Sequence, residues 1–363
     1  MRLSTCLAVL TTTNLYTLCK AHYTLTDDLS GKNFFNHFDL FSDQDPTNGF
    51  VAYQPLDSAI ENNYIGYLPT QNTTNIFLGV DYTNITPAGR PSIRAESKKS
   101  WNHGLLLADI RHMPASTCGS WPALWMLGEG TWPMKGEIDI LEGVNDQVSN
   151  TVTLHTTAGC VVDNTTSRNM GIADQNLFSG EMKTDNCDIQ AVDQDKNQGC
   201  SIHASASTST TYGSGFNSVE GGMYAMEWTA TSISVWFFAR NSDAFSDYFS
   251  NTTSVTEFQT SAWGKPLAHF AGTGCDFEQR FKDLRIIFNT AFCGEWAGRQ
   301  EVWDSSCAAK TGVATCADYV RDNPAVFQEA YWEIEGLRWY ENKDKDKKRS
   351  GGGVHQNGRE YMW

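Results

Sequence analysis

Residues 136–145 read Gly-Glu-Ile-Asp-Ile-Leu-Glu-Gly-Val-Asn, and this stretch decides how we interpret the chain. Acidic and apolar residues alternate in its first half, which predicts a strand with one acidic face and one apolar face. Strict alternation would turn Glu142 toward the apolar face, where an unpaired charge is strongly unfavourable. One extra residue, a β-bulge at Ile140 or Leu141, would return Glu142 to the face of the other two acids.

Glu137, Asp139 and Glu142 are therefore the candidate catalytic carboxylates. With the bulge, the two glutamates lie about four strand steps apart, roughly 13 Å along the backbone. If their side chains lean together they approach the ~5–5.5 Å of retaining glycosidases, while less leaning gives the ~6.5–9.5 Å of inverting ones. The spacing favours retention and leaves inversion open. Crowding of three acids raises at least one pKa, which supplies a protonated acid beside an ionised nucleophile.

The alternative for this segment is a surface strand whose carboxylates are simply solvated. Its flanks argue against that interpretation, because they carry Trp121, Trp125 and Trp132 rather than lysines. Apolar and aromatic flanks beside convergent acids are typical of a binding cleft.

Short runs rich in β-branched and aromatic residues recur along the chain, separated by Gly, Asn and Ser. Such runs predict the strands of a sandwich. Helical periodicity is scarce, and the best candidate helix runs from Cys316 to about Gln328, near Pro324. We expect one all-β sandwich of antiparallel strands from about residue 23 to residue 340. The clearest strand-like runs are 49–53, 75–80, 232–238 and 284–288.

The composition excludes some partners. The 363 residues carry a formal net charge of −15, which argues against nucleic acid and against an anionic membrane surface, because both need a basic face. A neutral polysaccharide is indifferent to this charge. Hydrophobic residues make up 40% of the chain, enough for a sizeable core.

Residues 1–21 are expected to be a signal peptide, since a basic Arg2 precedes an apolar stretch and a small residue, Ala21. Eight cysteines follow this leader, and an even number in a secreted chain predicts up to four disulfides whose pairing the sequence leaves open. Neither C-x-x-C pairs nor nearby histidines suggest zinc. We expect no cofactor and no metal in the site, while the sequence leaves a structural calcium ion undecided. No later apolar run is long enough to span a membrane.

Four N-x-[ST] sequons begin at Asn72, Asn84, Asn164 and Asn251, which is consistent with glycosylated surface loops. Together with the cysteines, they predict a secreted protein, located outside the cell or in the cell wall. Residues 342–363 are charged and Gly-rich, and we expect this tail to be disordered because it cannot bury enough apolar surface.

Several motifs in this order resemble glycoside hydrolase family 16, and most closely the fungal endo-1,3(4)-β-glucanases of the laminarinase type. The resemblance runs from about residue 34 to residue 340, nearly the whole chain after the leader. The motifs are residues 119–126, 132–133, 136–143 and 154–156, with further matches at 45–51, 98–104, 224–228 and 292–298.

The resemblance implies a catalytic domain over residues 22–341 with a concanavalin A-like jelly roll, in which two antiparallel sheets form a concave cleft for substrate. It implies that Glu137 is the nucleophile and Glu142 the acid/base, while Asp139 orients and tunes the nucleophile. The implied activity is retaining endo-hydrolysis of β-1,3- or mixed β-1,3/1,4-glucan.

The resemblance also implies sugar-binding positions at Trp125, Trp132 and Trp296, whose flat rings suit the apolar faces of pyranoses. His155 matches a histidine near the acid/base, and Arg94 is a weaker candidate for contact with a sugar hydroxyl. Three other tryptophans lie in strand-like runs and are expected in the core: Trp121, Trp228 and Trp236.

Two other functions remain open. A cell-wall transglycosylase of the same family would pass the sugar to another sugar, but those relatives tend toward Glu-x-Asp-x-Glu, whereas Ile140 and Leu141 both intervene here. A non-catalytic jelly-roll lectin is expected to have lost a carboxylate, and all three are present. We expect a monomer whose partner is β-glucan, with the linkage preference undetermined.

Overall fold

A computed structural model describes residues 22–71, 73–163, 177–205, 207–249 and 257–342. The leader predicted for residues 1–21 lies outside this range, as do the sequon asparagines at 72, 164 and 251. Asn342 is the last residue of the final strand, and the remainder of the predicted tail also lies outside the described residues.

Strands dominate the described chain, and all four of the strand-like runs singled out in the sequence are among them. In chain order the strands are β1 (Tyr23–Asp28), β2 (Phe38–Leu40), β3 (Val51–Tyr53), β4 (Ile65–Pro69), β5 (Thr74–Leu78), β6 (Arg90–Ser92), β7 (Arg94–Ser97), β8 (Gly104–His112), β9 (Ser120–Gly128), β10 (Glu137–Glu142), β11 (Thr151–His155), β12 (Glu181–Thr184), β13 (Cys200–His203), β14 (Gly222–Trp228), β15 (Ser232–Ala239), β16 (Glu257–Phe258), β17 (Ala268–Ala271), β18 (Leu284–Phe292) and β19 (Trp332–Asn342).

Two large sheets contain most of these strands. One sheet has nine strands, in the order β16-β1-β19-β8-β14-β15-β17, with β5 pairing on β19 and β4 on β5. The other has eight strands, in the order β12-β13-β11-β10-β9-β18-β7-β2. Both are antiparallel, and a short parallel pair joins β3 to β6. The expected all-β sandwich is confirmed.

The main core lies between the two sheets and follows from the period of two along each strand. The eight-stranded sheet contributes Leu124, Met126 and Ile138, while the nine-stranded sheet contributes Trp228 and Trp339; all five are fully buried. Burial of Trp228 and, in a second cluster, of Trp236 confirms two of the three core tryptophans predicted from the sequence.

Part of the outer side of the nine-stranded sheet is covered by other parts of the chain. Leu105 and Trp236 on that side pack in one apolar cluster with Phe245, Phe249 and Trp263 from the segment that follows β15. On the eight-stranded sheet, the side opposite the core carries the acidic residues of β10.

Helices are short and lie in the connections, which fits the scarce helical periodicity. The helix predicted from Cys316 to about Gln328 is too long: it ends at Asp322, and Pro324–Phe327 forms a separate 3₁₀ turn, because the residue before a proline disfavours helical backbone. The helices are α1 (Phe34–His37), α2 (Leu56–Glu61), α3 (Gly213–Ser218), α4 (Asp243–Phe249), α5 (Phe277–Arg280), α6 (Gly294–Ala297), α7 (Gln300–Ser306), α8 (Ala308–Thr311) and α9 (Cys316–Asp322).

Four disulfides use all eight cysteines that follow the predicted leader, as the even count suggested. The pairs are Cys118–Cys307, Cys160–Cys275, Cys187–Cys200 and Cys293–Cys316. Within the described ranges, every helix is too short or too polar to cross a membrane.

Candidate active site

The predicted bulge is present in β10. Asp139 pairs with Trp125 of β9, but the next pair joins Leu141 to Leu124, so Ile140 is the extra residue. Ile140 and Leu141 both lie in the core, almost fully buried. The bulge thus lets two successive apolar side chains face inward and returns the following glutamate to the acidic face.

Glu137 lies at the start of β10, paired with His155 of β11. The indole Nε1 of Trp132 donates a hydrogen bond to Oε2 of Glu137 at 2.9 Å. On the other carboxylate oxygen, the Nε2 atom of His155 approaches to 3.8 Å. The structure therefore brings Trp132 and His155, two of the predicted sugar-binding residues, directly to this carboxyl group.

Asp139 lies between the two glutamates and is 2% exposed. Its Oδ2 atom is 3.2 Å from Nε2 of His155, closer than the contact that His155 makes with Glu137. The histidine thus contacts Glu137 and Asp139, and its predicted position beside the acid/base Glu142 is wrong. Its electrostatic influence lowers the pKa of both glutamates.

Glu142 ends the strand, and its carboxylate accepts a hydrogen bond from the indole Nε1 of Trp121 at 2.9 Å. Trp296 packs edge-on against the Trp121 ring, with centroids 5.7 Å apart. The core position predicted for Trp121 is therefore wrong: Trp121 is only partly buried and lies on the acidic face. The alternation along β9 carries the missed signal, since Trp121 and Trp125 are four residues apart and share a face.

Burial dominates the electrostatics of the three acids. Loss of solvation, reinforced by the charge of Asp139, raises the pKa of Glu137 to about 8, against a smaller lowering by His155. The same two causes raise the pKa of Glu142 to about 8, and the Trp121 hydrogen bond opposes the rise. Burial also raises the pKa of Asp139 well above its usual value. Because the three groups lie close together, the loss of a proton from one raises the pKa of the others.

Trp125 stands beside the acids, where Asn289 accepts a hydrogen bond from its indole at 3.0 Å. The Arg94 guanidinium lies over the Trp125 ring at 4.9 Å from its centroid and pairs with Glu96 at 2.8 Å. Because Arg94 is only 5% exposed, the structure favours a supporting role beneath Trp125. The direct contact of Arg94 with a sugar hydroxyl stays a prediction.

Glu137, Asp139 and His155 are also the group of described residues whose geometry could hold a metal ion, with candidate ligand atoms within 4.8 Å of one another. The Nε2 atom of His155 lies 3.2 Å from Asp139 and 3.8 Å from Glu137, so the imidazole pairs with both carboxyl groups directly. We therefore interpret them as a carboxyl–imidazole set.

The site thus has two carboxyl groups on one face of a strand, and each accepts a hydrogen bond from an indole N–H. The buried Asp139 lies between them, His155 lies at the Glu137 end, and partly exposed tryptophans surround them. Two carboxyl groups flanking a sugar bond can act as nucleophile and acid/base. The exposed rings can stack on the sugars.

Comparison with known proteins agrees with this arrangement. The XgeA-like catalytic domain of glycoside hydrolase family 16 matches residues 38–340. An endo-1,3(4)-β-glucanase of Arthroderma benhamiae is 42% identical over 325 residues, which cover 89% of this chain and 66% of that protein. A probable endo-1,3(4)-β-glucanase of Aspergillus flavus is 39% identical, over 88% of this chain and 45% of the relative. The chain thus spans less than two thirds of the length of these relatives.

Two solved structures are also similar. Laminarinase 16A of Phanerochaete chrysosporium, solved with β-glucans in its donor and acceptor sites, superposes with a TM-score of 0.77 at 37% identity, over 88% of this chain and all of that one. An elongating β-1,3-glucosyltransferase gives a TM-score of 0.75 at 40% identity, with the same coverage. On its match over 303 residues and its jelly-roll sandwich, the chain belongs to glycoside hydrolase family 16, among the XgeA-like catalytic domains.

Proposed function

We propose that this chain is a retaining endo-β-glucanase that hydrolyses β-1,3- or mixed β-1,3/1,4-glucan through a glycosyl-enzyme intermediate. The observation that carries the proposal is the bulge at Ile140, because it puts Glu137 and Glu142 on one face of one strand. The endo-1,3(4)-β-glucanases and laminarinases among its relatives support the substrate class.

In the proposed first step, protonated Glu142 donates its proton to the glycosidic oxygen as ionised Glu137 attacks the anomeric carbon. The raised pKa of Glu142 supplies this proton. The contacts of His155 and of the Trp132 N–H with the Glu137 carboxylate favour its ionised form. In the second step, Glu142 removes a proton from water, which attacks the glycosyl-enzyme and releases the sugar with its configuration retained. Asp139 orients the nucleophile and adds negative charge beside it.

Sugar binding is assigned to the aromatic residues on the acidic face. Trp132 is 37% exposed, and Trp125 and Trp296 are partly exposed, so each offers a ring face or edge to a pyranose. His155 lies close enough to the nucleophile to reach a hydroxyl of the same sugar. Arg94 is proposed to act chiefly through Trp125.

Transfer to a second sugar is the alternative, since a similar structure is an elongating β-1,3-glucosyltransferase. Both reactions share the first step and differ only in the acceptor of the glycosyl group. A lectin without activity is disfavoured by the retention of all three carboxyl groups with hydrogen-bonded neighbours.

The protein is proposed to be a secreted, glycosylated monomer, located outside the cell or in the cell wall. Four disulfides support an oxidising compartment. Asn84, the sequon asparagine within the described chain, is exposed, as a glycosylated residue must be.

The test is product analysis on laminarin, lichenan and cellulose with the native protein and Glu137→Gln. Hydrolysis of laminarin or lichenan by the native protein alone supports the proposal. Products longer than the substrate would favour the transferase. Binding of laminarin by folded native protein without any bond cleavage would overturn the proposal in favour of a lectin.

A further inference from the structure

Asn150 immediately precedes β11 and is fully buried beside the bulge of β10. Its Nδ2 atom donates a hydrogen bond to the Ile140 carbonyl at 2.8 Å, and its Oδ1 atom accepts one from the Glu142 N–H at 2.8 Å. A bulge interrupts the ladder between two strands, so backbone groups around it need other partners. One primary amide provides both the donor and the acceptor that this interruption requires.

Asn150 is itself held by two other parts of the chain. Its backbone N–H donates to the hydroxyl of Thr211 at 3.1 Å, and its carbonyl accepts from the Ala204 N–H at 2.8 Å. Because its backbone is bonded on both sides, Asn150 has a fixed position, and its side-chain amide can hold the end of β10 in place.

The contacts of Asn150 reach Glu142 and not Glu137. Glu142 is bonded to Asn150 through its own backbone N–H, whereas Glu137 lies before the bulge, in the regular part of the ladder. A shift of one residue in register moves every later side chain to the opposite face. The residue that holds the bulge therefore determines where the carboxyl group of Glu142 lies.

We infer that Asn150 is a positioning residue for Glu142, so that its amide fixes the acid/base of the reaction without touching substrate. This inference rests on the proposed function. It predicts a specific kinetic defect, in which proton transfer to the leaving group suffers while attack by Glu137 does not.

The experiment compares Asn150→Ala on two substrates that need different amounts of acid catalysis. Laminarin has a sugar leaving group that must be protonated, whereas a 2,4-dinitrophenyl β-glycoside of laminaribiose releases a stable anion without protonation. We expect kcat on laminarin to fall about 100-fold, within the range that general acid–base catalysis contributes. Release of dinitrophenol in the first turnover should fall less than about tenfold.

Asn75→Ala is the matched control. Asn75 is 1% exposed in β5 of the other sheet, its Nδ2 donates to Glu333, and its Oδ1 accepts from Thr73. This variant loses the same amide and a similar pair of hydrogen bonds, far from the acids. It should lower the melting temperature and leave the ratio of the two activities unchanged.

An equal loss on both substrates in Asn150→Ala, or no loss on either, would overturn the positioning role while the native activity upholds the proposed function. If Asn150→Ala does not fold, the near-isosteric Asn150→Asp is measured by the same criteria. In its ionised form the aspartate keeps the acceptor for Glu142 and loses the donor to Ile140. A native protein inactive on both substrates would overturn the proposed function itself, and the inference with it.

Discussion

Glu137 and Glu142 are the same residue type, five positions apart on one strand, and each accepts an indole N–H at 2.9 Å. Their other neighbours differ. Glu137 has an imidazole 3.8 Å away and its indole comes from an exposed loop residue, Trp132, whereas the backbone of Glu142 is bonded to a buried amide, Asn150.

The difference shows how one strand can supply two chemical roles. The imidazole of His155 contacts Glu137 directly, and a basic neighbour favours the ionised form that a nucleophile needs. The groups bonded to Glu142, the Trp121 indole and the Asn150 amide, are neutral and leave a buried carboxyl group able to hold a proton, as a general acid must. Burial sets the pKa of about 8 that both residues share, and His155 and an indole N–H oppose the rise at each of them. The assignment of roles therefore rests on the direct contact of His155 with Glu137.

The largest effect is expected from removing each carboxylate in turn. Glu137→Gln should lower kcat on laminarin by about 10⁴-fold or more, because the covalent intermediate is lost. Glu142→Gln should lower it by about 10²–10⁴-fold. On the dinitrophenyl substrate only Glu142→Gln should keep a rapid first turnover. Equal behaviour of the two variants on both substrates would contradict the division of roles.

Stability should depend on pH through the same residues. Because folding raises the pKa of Glu137 from 4.5 to about 8, the native state holds a proton that the unfolded chain releases, so native stability falls as the pH rises between those values. Glu137→Gln removes this penalty and should stabilise the protein by roughly 1–3 kcal/mol at pH 7, with little gain at pH 4. Thermal unfolding at both pH values measures the difference.

The control for that measurement is Glu129→Gln, since Glu129 has a side chain 66% exposed. Its substitution should change the melting temperature little at either pH, because its ion pair with Arg285 is exposed. A melting temperature of Glu137→Gln below that of the native protein at pH 7 would contradict the burial penalty.

The hydrogen bonds from Trp132 to Glu137 and from Trp121 to Glu142 should each affect a different limb of the pH–activity profile. Trp132→Phe removes a donor to ionised Glu137, so the pKa of Glu137 rises and the acidic limb of kcat/KM should move up by roughly one unit. Trp121→Phe removes the donor to Glu142, so the alkaline limb should move up instead. If both variants shift the same limb, the assignment of the two indoles to two roles is wrong.

The smallest effect, on the free energy of unfolding, is expected for an exposed ion pair between loops at the two ends of β10. Arg299 follows α6 on the Glu142 side and pairs at 3.4 Å with Asp195, in the connection that leads to β13 on the Glu137 side. Both side chains are well exposed, so Asp195→Asn should change the free energy of unfolding by less than about 1 kcal/mol. A larger loss in chemical denaturation would show that this exposed pair couples the two loops.

Much of this arrangement was predictable from the sequence. The alternation of residues 137–139 and the cost of burying Glu142 together required a bulge, and the structure places it at Ile140, one of the two positions expected. Period-two patterns also predicted the strands, because burial on one face is a local property of the sequence.

The features that the sequence did not predict depend on contacts between segments that are distant along the chain. Trp121 was expected in the core because its own run looked like a buried strand, and only its register against β10 shows that it faces Glu142. Asn150 carries no local signal at all, since its role arises from where β11 begins relative to the bulge. Short helices such as α4 and α7 were missed because seven residues are too few for a helical period to stand out.

The most direct test of the two roles is the intact mass of Glu142→Gln after incubation with the dinitrophenyl glycoside of laminaribiose. A glycosyl-enzyme should form rapidly and break down slowly, so the account predicts a mass increase of one laminaribiosyl group, located on Glu137 by peptide mapping. Absence of an adduct despite dinitrophenol release, or an adduct on any other residue, would contradict it.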